Sequence, residues 1–163
     1  TNLSCNKLFC NGSTEIKNIK ATTIKAHGKT KVTEGTISQE VDIHGSLEAY
    51  ELIVLGQTGC FGGASFYNSQ LNSLTIAAQK AYLNNTLVTG DILIKEVHNH
   101  NSSSFWSWRI STNHCSCNKP QVLELRGNSR VAGTITFESE GEIHLFDQAE
   151  ISGKVSNGKV IKK

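Results

Sequence analysis

The sequence predicts an all-β protein, a single domain built as a parallel β-solenoid in which short strands stack coil upon coil. Two observations lead to this fold class. Gly is abundant, with 14 residues out of 163, while Pro occurs once, and this composition suits many strands joined by tight turns. The second observation is a repeated unit in which apolar residues alternate with polar ones and glycines recur at fixed places.

The clearest copies of this unit lie in the last third of the chain, where two copies match at every apolar position and at the closing glycine. They are Leu123, Leu125, Val131 and Gly133, and then Ile143, Leu145, Ile151 and Gly153. Looser copies begin at Ile24, Val41, Leu52 and Leu74. A period of two gives each strand one buried face. A unit this short buries that face only by stacking on its neighbours, which predicts a solenoid.

Two other interpretations fit parts of the pattern less well. Many short strands with Gly turns are also typical of a β-sandwich or jelly roll, but those folds do not require the copies to keep the same register. The Ala-rich stretch 73–83 has some helical character, yet it follows the repeat, with Asn84 in place of a glycine because Asn tolerates positive φ. We therefore expect strand and turn there.

The repeat divides the chain into regions of one domain, residues 1–163. Solenoid rungs are expected over 22–95 and 121–161. The first 21 residues lie outside the repeat and are expected to form an N-terminal cap, since an open end offers unpaired strand groups. Residues 96–120 lose the pattern and are expected to form one inserted loop, a common place for function.

The runs 123–135 and 149–155 resemble the repeats of bactofilins, which are bacterial polymer-forming proteins. This resemblance implies a right-handed β-helix and end-to-end association, without a nucleotide or catalysis. Two features depart from that family: bactofilins are generally cytoplasmic, whereas the cysteines here suggest export, and the 96–120 insertion interrupts the polymer-type pattern. The resemblance therefore extends to the fold and not to the filament.

Charge and hydropathy exclude two classes of partner. The formal net charge is +2, which is too close to balance to predict binding to nucleic acid. No stretch approaches the 18 or so apolar residues that a membrane span requires, so we expect no membrane insertion.

Four of the five cysteines lie in polar surroundings, and these four are the disulfide candidates: Cys5, Cys10, Cys115 and Cys117. This placement favours disulfides and an exported protein, secreted or periplasmic. Four cysteines allow three pairings. A bridge from an N-terminal cysteine to the 115/117 pair is preferred, because adjacent bridging of 115 to 117 would be strained.

The candidate binding residues lie in the inserted loop: Phe105, Trp106, Trp108 and Arg109. Exposed aromatic side chains beside Arg suit a protein partner or a sugar ring. The alternative is that one tryptophan packs back on the solenoid, since large aromatic residues are highly buried on average.

Metal binding and catalysis have little support. The same loop holds soft metal ligands, namely His98, His100, His114, Cys115 and Cys117, but their spacing is not that of closed zinc sites, so no metal or other cofactor is expected. The remaining histidines His27, His44 and His144 are expected to point outward. No nucleophile elbow, phosphate loop or paired-carboxylate motif occurs.

The sequence therefore predicts a non-enzymatic, exported β-solenoid that acts by protein–protein contact or self-association through the 96–120 loop. A carbohydrate- or metal-binding module is the first alternative. The second is an enzyme like the left-handed β-helix acyltransferases, which have a six-residue repeat. A short run has that spacing: Leu125, Val131, Phe137 and Ile143.

Overall fold

The computed structural model describes residues 3–97 and 119–163, and every regular element in these two stretches is a β-strand. The strands are β1 Leu3–Asn11, β2 Thr14–Phe61, β3 Ala64–Tyr67, β4 Gln70–Ile76, β5 Lys80–Asn84, β6 Leu87–Val88, β7 Ile92–Ile94, β8 Gln121–Arg126, β9 Arg130–Val131, β10 Ile135–Leu145, β11 Glu150–Ile151 and β12 Val155–Lys162. Strand β2 is 48 residues long because its ladder runs on through the corners of several coils, where residues such as Glu34 and Glu51 have positive φ. No helix that could cross a bilayer occurs among the described residues.

All the strand pairs are parallel and join successive turns of the chain. Residues that contact across neighbouring coils are 17 positions apart in the middle of the chain, 43 apart across the 96–120 segment and 20 apart in the last coils. The result is a parallel β-solenoid of about eight turns, and the predicted fold class is confirmed.

The core consists of columns of inward side chains that repeat from coil to coil. One column contains Leu47, Ala64, Ala81, Leu123 and Ile143, all buried. Phe66 and Phe137 are the largest of the fully buried side chains. Each large apolar side chain contributes roughly 1.5–3 kcal/mol when it is fully buried. These columns are therefore the main source of stability, and no coil is stable without its neighbours.

The corners of the solenoid also form columns. One corner is lined by Gly12, Gly28, Gly45 and Gly62. At Gly45 the backbone φ is +140°, and an added Cβ would lie 2.1 Å from the carbonyl oxygen of Gly28. Only glycine fits such a close approach of two backbones, which explains why glycines recur at this corner.

The predicted register is confirmed in the last coils, where Leu123 pairs with Ile143 and Val131 with Ile151.

The register expected upstream is wrong. Leu74 pairs with Thr58 and not with Leu52, because the coils are shorter there than the two copies on which the repeat was based. For the same reason the positive φ expected at Asn84 falls on Asn85, at 49°. The expected strand and turn over 73–83 is present as β4, a turn and β5.

The N-terminal segment forms part of the solenoid. Residues 3–11, which were expected to belong to a cap, form β1 and pair in register with β2. They thus form the first coil of the part of the chain that the structure describes. The expected loop lies almost wholly in residues 98–118, outside the described residues, and the expected right-handed sense also stays a prediction.

Candidate functional site

Most of the predicted site residues lie outside the described part of the chain. They are Phe105, Trp106, Trp108, Arg109, Cys115 and Cys117, together with His98, His100 and His114. Their roles stay predictions. Of the predicted binding and disulfide residues, the structure places two, Cys5 and Cys10, and both lie on β1.

Cys5 and Cys10 are stacked on the apolar core but are only half-buried. Cys5 lies beside Ala21 and Cys10 beside Ala26, and both alanines are buried. Within residues 3–97 and 119–163 the two cysteines are free thiols, and no disulfide joins them. They remain partly exposed because β1 is the outermost strand of the sheet over the described chain.

The first coil presents an apolar surface, which we name the N-terminal end and define by Leu3, Cys5, Leu8, Phe9 and Cys10. Leu3 is 44% exposed and Phe9 is 68% exposed. Leu8 is half-buried and packs on the core. Among the described strands β1 pairs with β2 alone, so the backbone groups on its other edge have no strand partner there. An apolar surface with an open strand edge is suited to association with another chain.

The opposite end of the solenoid has a different character. Strand β12 pairs with β10 along one edge, and Val160 is 42% exposed. Strand β12 carries the exposed Lys159 and Lys162, and Lys154 and Lys163 lie directly beside it, whereas β1 carries Lys7 alone. Lysines on an edge strand disfavour the addition of a further strand, so the two ends are not equivalent as association surfaces.

A cavity of about 770 Å³ lies where the 96–120 segment leaves and rejoins the solenoid, and we name it the groove. It is lined by Gln79, Glu96, Val97, Lys119, Pro120, Gln121, Ser139, Glu140, Gly141, Glu142, Asn157, Gly158 and Lys159. Side chains hold both ends of the segment in place. Gln79 Nε2 donates to the carbonyl oxygens of Lys119 and Pro120 at 2.7 and 3.0 Å, and the Glu138 carboxylate accepts the Glu96 N–H at 3.0 Å.

The groove also contains a buried amide. Gln121 is 6% exposed, and its Nε2 donates to the carbonyl oxygens of Ala78 and Lys95, both at 2.8 Å. Its Oε1 has no hydrogen-bond donor among the described residues. With carboxylates and lysines also in the lining, the groove offers hydrogen-bonding groups of both kinds and suits a polar segment of another protein.

A third feature is a cluster on the outer surface of β5 and β8, joined by Phe146 directly after β10. We name it the outer-face network and define it by Lys80, Tyr82, Glu124, Arg126 and Phe146. Lys80 Nζ lies 2.6 Å from Glu124 Oε1, and Arg126 donates to Glu124 Oε2 at 2.8 and 3.0 Å. The Lys80 ammonium lies 4.8 Å from the centre of the Tyr82 ring, and the Arg126 guanidinium 4.2 Å from that of Phe146. The cluster fixes side chains from three coils.

The network controls the ionisation of Glu124. Burial opposes the charged form and is the largest single influence, but the hydrogen bonds from Lys80 and Arg126 together outweigh it. The pKa of Glu124 therefore lies below its ordinary value, and the pKa of Lys80 lies above its own because it donates to Glu124. Glu124 is therefore ionised at neutral pH, and the positive charges of Lys80 and Arg126 balance its negative charge.

The outward histidines form surface contacts. His27 and His44 are exposed, as expected, and their rings stack at 5.0 Å, with Phe61 stacked on His44 at 4.9 Å. His144 Nε2 lies 2.8 Å from a Glu142 carboxylate oxygen. Residues 3–97 and 119–163 contain no group of three or more His, Cys, Asp or Glu side chains that could hold a metal ion.

The N-terminal end and the outer-face network were not found from the sequence. Lys80 and Glu124 are separated by the 96–120 insertion, so no local motif joins them. The alternation of apolar residues in β1 was visible, since Leu8 and Cys10 are two positions apart. Its meaning depends on β1 being the outermost of the described strands, which only the fold shows.

Comparison with known proteins identifies no relative of this chain. No protein-family model, curated protein or solved structure matches the chain significantly.

Proposed function

We propose that this chain is a non-enzymatic structural protein that acts by contact and associates with further copies of itself through the N-terminal end. The observation that carries this proposal is the combination of an open strand edge with exposed and half-buried apolar residues on one coil. Leu3, Cys5, Leu8 and Cys10 stack on buried residues of the next coil but are left partly in water. Covering them with another copy recovers part of their burial energy.

The resemblance to bactofilins supports the solenoid architecture and not a filament, so the proposed self-association rests on the N-terminal end itself. Membership of that family is part of the proposal, as is the right-handed sense of the solenoid. Export to the periplasm or the medium is a further part, motivated by the four cysteines in polar surroundings.

Native mass in solution tests self-association. We expect wild type to have a mass of at least twice 17.7 kDa by light scattering, and Phe9→Lys combined with Leu3→Lys to be monomeric, because both changes place charge on the contact. Val160→Lys at the other end is the matched control and should leave the mass unchanged. A monomeric wild type at all concentrations, or equal dissociation by Val160→Lys, would overturn the proposal.

A second candidate function is the binding of a different protein at the 96–120 segment. The groove favours it, because polar and charged groups gather where the segment joins the solenoid, and the aromatic residues Trp106 and Trp108 would add anchors. A glycan remains an alternative ligand. Glycan-array binding by wild type that disappears in Trp106→Ala would support the carbohydrate function over protein contact.

A further inference from the structure

We infer that the outer face of the solenoid holds a binding site for one pyranose ring, in a hollow between Glu48 and Tyr82. We name this hollow the slot and define it by Ser46, Glu48, Gly63, Ser65, Lys80 and Tyr82. Its volume is about 200 Å³. Cavities that hold drug-sized ligands are commonly about 300–1,000 Å³, so the slot has room for a ligand of one ring. The site is independent of the self-association proposed above.

The strand register sets the walls of the slot. Glu48 pairs with Ser65, and Ser65 pairs with Tyr82, so these three half-buried residues occupy the same position in successive coils. Neighbouring parallel strands lie about 4.8 Å apart. The backbones that carry Glu48 and Tyr82 are therefore roughly 9.6 Å apart along the solenoid, and the side chain of the coil between them is only that of a serine.

The neighbouring column of side chains shows that this face accommodates stacked rings. Tyr50 and Tyr67 lie two residues after Glu48 and Ser65 in the same coils, and their rings stack 4.7 Å apart with an angle of 11° between the planes. This distance is close to the spacing of the coils. In the column of the slot Ser65 occupies the position next to Tyr82, so the slot is the place of one missing ring.

The two sides of the Tyr82 ring differ in what they contact. Glu124 follows Tyr82 in the next coil, and Lys80 Nζ lies 2.6 Å from Glu124 Oε1 and 4.8 Å from the centre of the Tyr82 ring. The ammonium is thus held toward the coil of Glu124. The side of the ring toward Ser65 lines the slot and offers apolar area on which the C–H groups of a pyranose pack.

The floor of the slot is open for no reason of backbone geometry. Gly63 has no positive φ, and a Cβ added there would lie 3.7 Å from the Ser46 Cβ, which is an ordinary van der Waals distance. The adjacent corner residue Gly62 differs, because it has a φ of +149° and an added Cβ would lie 2.0 Å from the carbonyl oxygen of Gly45. A larger residue is therefore sterically tolerated at position 63, and the glycine there provides space.

The polar groups around the slot match the hydroxyls at the edge of a sugar ring. The serine hydroxyls donate and accept, the Lys80 ammonium donates, and the Glu48 carboxylate accepts. Glu48 accepts a hydrogen bond from the Tyr50 hydroxyl and retains further lone pairs. Because Glu124 already balances the charge of Lys80, the slot suits an uncharged ring. A purely aromatic ligand would stack on Tyr82 but would leave these polar groups without partners.

Saturation-transfer difference NMR with the methyl glycosides of glucose, galactose and mannose tests the site. A ligand of one ring makes few contacts, so we expect a Kd on the order of 1 mM. At least one glycoside should give a signal with wild type, strongest at the C–H groups of the ring. Ser65→Phe should abolish this signal, because the new ring takes the place of the ligand beside Tyr82. Its melting temperature should be no lower than that of wild type, since the added ring extends the stacking.

Two further variants complete the test. Gly63→Val fills the floor of the slot and should also abolish the signal. Thr75→Phe is the matched control, because it adds the same ring at a half-buried position of β4 that does not line the slot, and it should keep the signal. No signal from wild type with any glycoside, or an undiminished signal in both filling variants, would overturn the inference. A signal from p-cresol without one from the glycosides would overturn the sugar as the ligand. Native mass does not enter these outcomes, so the proposed self-association is tested separately.

Discussion

Glu124 is an outward-facing residue of β8 that is nonetheless buried, because the side chains of Lys80 and Arg126 close over it from its own and a neighbouring coil. Its side chain is 6% exposed, whereas those of Lys80 and Arg126 are 44% and 45% exposed. A buried carboxylate is tolerated only when its partners remain in place. Removing its charge therefore affects three side chains at once.

We predict that Glu124→Gln lowers the free energy of unfolding by about 1–3 kcal/mol at pH 7, since two cations lose their anionic partner. Folding lowers the pKa of Glu124. Its charge therefore stabilises the protein above the ordinary carboxyl pKa of about 4.3, and this stabilisation is lost as the pH falls through the lowered value. Urea denaturation from pH 7 down to acid should show the difference between wild type and variant shrinking.

Glu150→Gln is the matched control for this prediction. Glu150 is an exposed partner of Arg130 at 3.8 Å, and such surface pairs contribute roughly 0–1 kcal/mol. A loss from Glu150→Gln as large as that from Glu124→Gln would contradict a special role for the outer-face network.

Cys60 should be unreactive in the folded protein. Burial, with a smaller influence from the nearby Asp42 carboxylate, raises the pKa of the Cys60 thiol to about 12, so almost no thiolate forms at neutral pH. In a dilute, reduced sample at pH 8, where copies are dissociated, we expect iodoacetamide to modify the half-buried Cys5 and Cys10 but to spare Cys60 until the protein is unfolded, as measured by peptide mass spectrometry. If Cys60 were modified as fast as Cys5, the reagent would have access to the core around Cys60, and the prediction would be wrong.

At the scale of the elements, the corners determine where each coil turns. Gly45 has positive φ and lies against the backbone of Gly28, whereas at Gly59 an added Cβ would make only ordinary van der Waals contacts, with its closest neighbour 3.5 Å away. We predict that Gly45→Ala costs roughly 2 kcal/mol or more of stability and that Gly59→Ala changes it by less than about 0.5 kcal/mol. Thermal unfolding of the two variants measures this contrast, and similar melting temperatures would contradict it.

The repeat predicts which strands pair, and in which register, only between coils that are as long as the copies that define it. In the last two copies, Leu123 and Ile143 occupy the same place in coils of equal length, so matching the sequence also matched the structure. Upstream the coils are shorter, so equivalent positions lie closer together in the sequence than the repeat indicates. Leu74 therefore stacks on Thr58 instead of an apolar residue. Hydrophobic period identifies a strand, but it does not specify how many residues the corner between two strands contains.

At the scale of the whole molecule, the local sequence does not encode which strands are outermost among the coils that the structure describes. Cys5 and Cys10 were recognised as disulfide candidates from their polar neighbours. Their place beside Leu3 and Leu8 on the outermost described coil follows from the pairing of β1 with β2. The outer-face network likewise needs Lys80 and Glu124 to meet across the insertion.

The central claim is that the N-terminal end is a contact between copies, and hydrogen exchange at two protein concentrations tests it most directly. In a concentrated sample we predict slower exchange of amides in β1, residues 3–11, than in a dilute one, because the open edge becomes hydrogen-bonded on association. Amides of β12, residues 155–162, should exchange alike in both samples. If exchange in β1 does not depend on concentration, or if β12 is protected instead, the claim is contradicted.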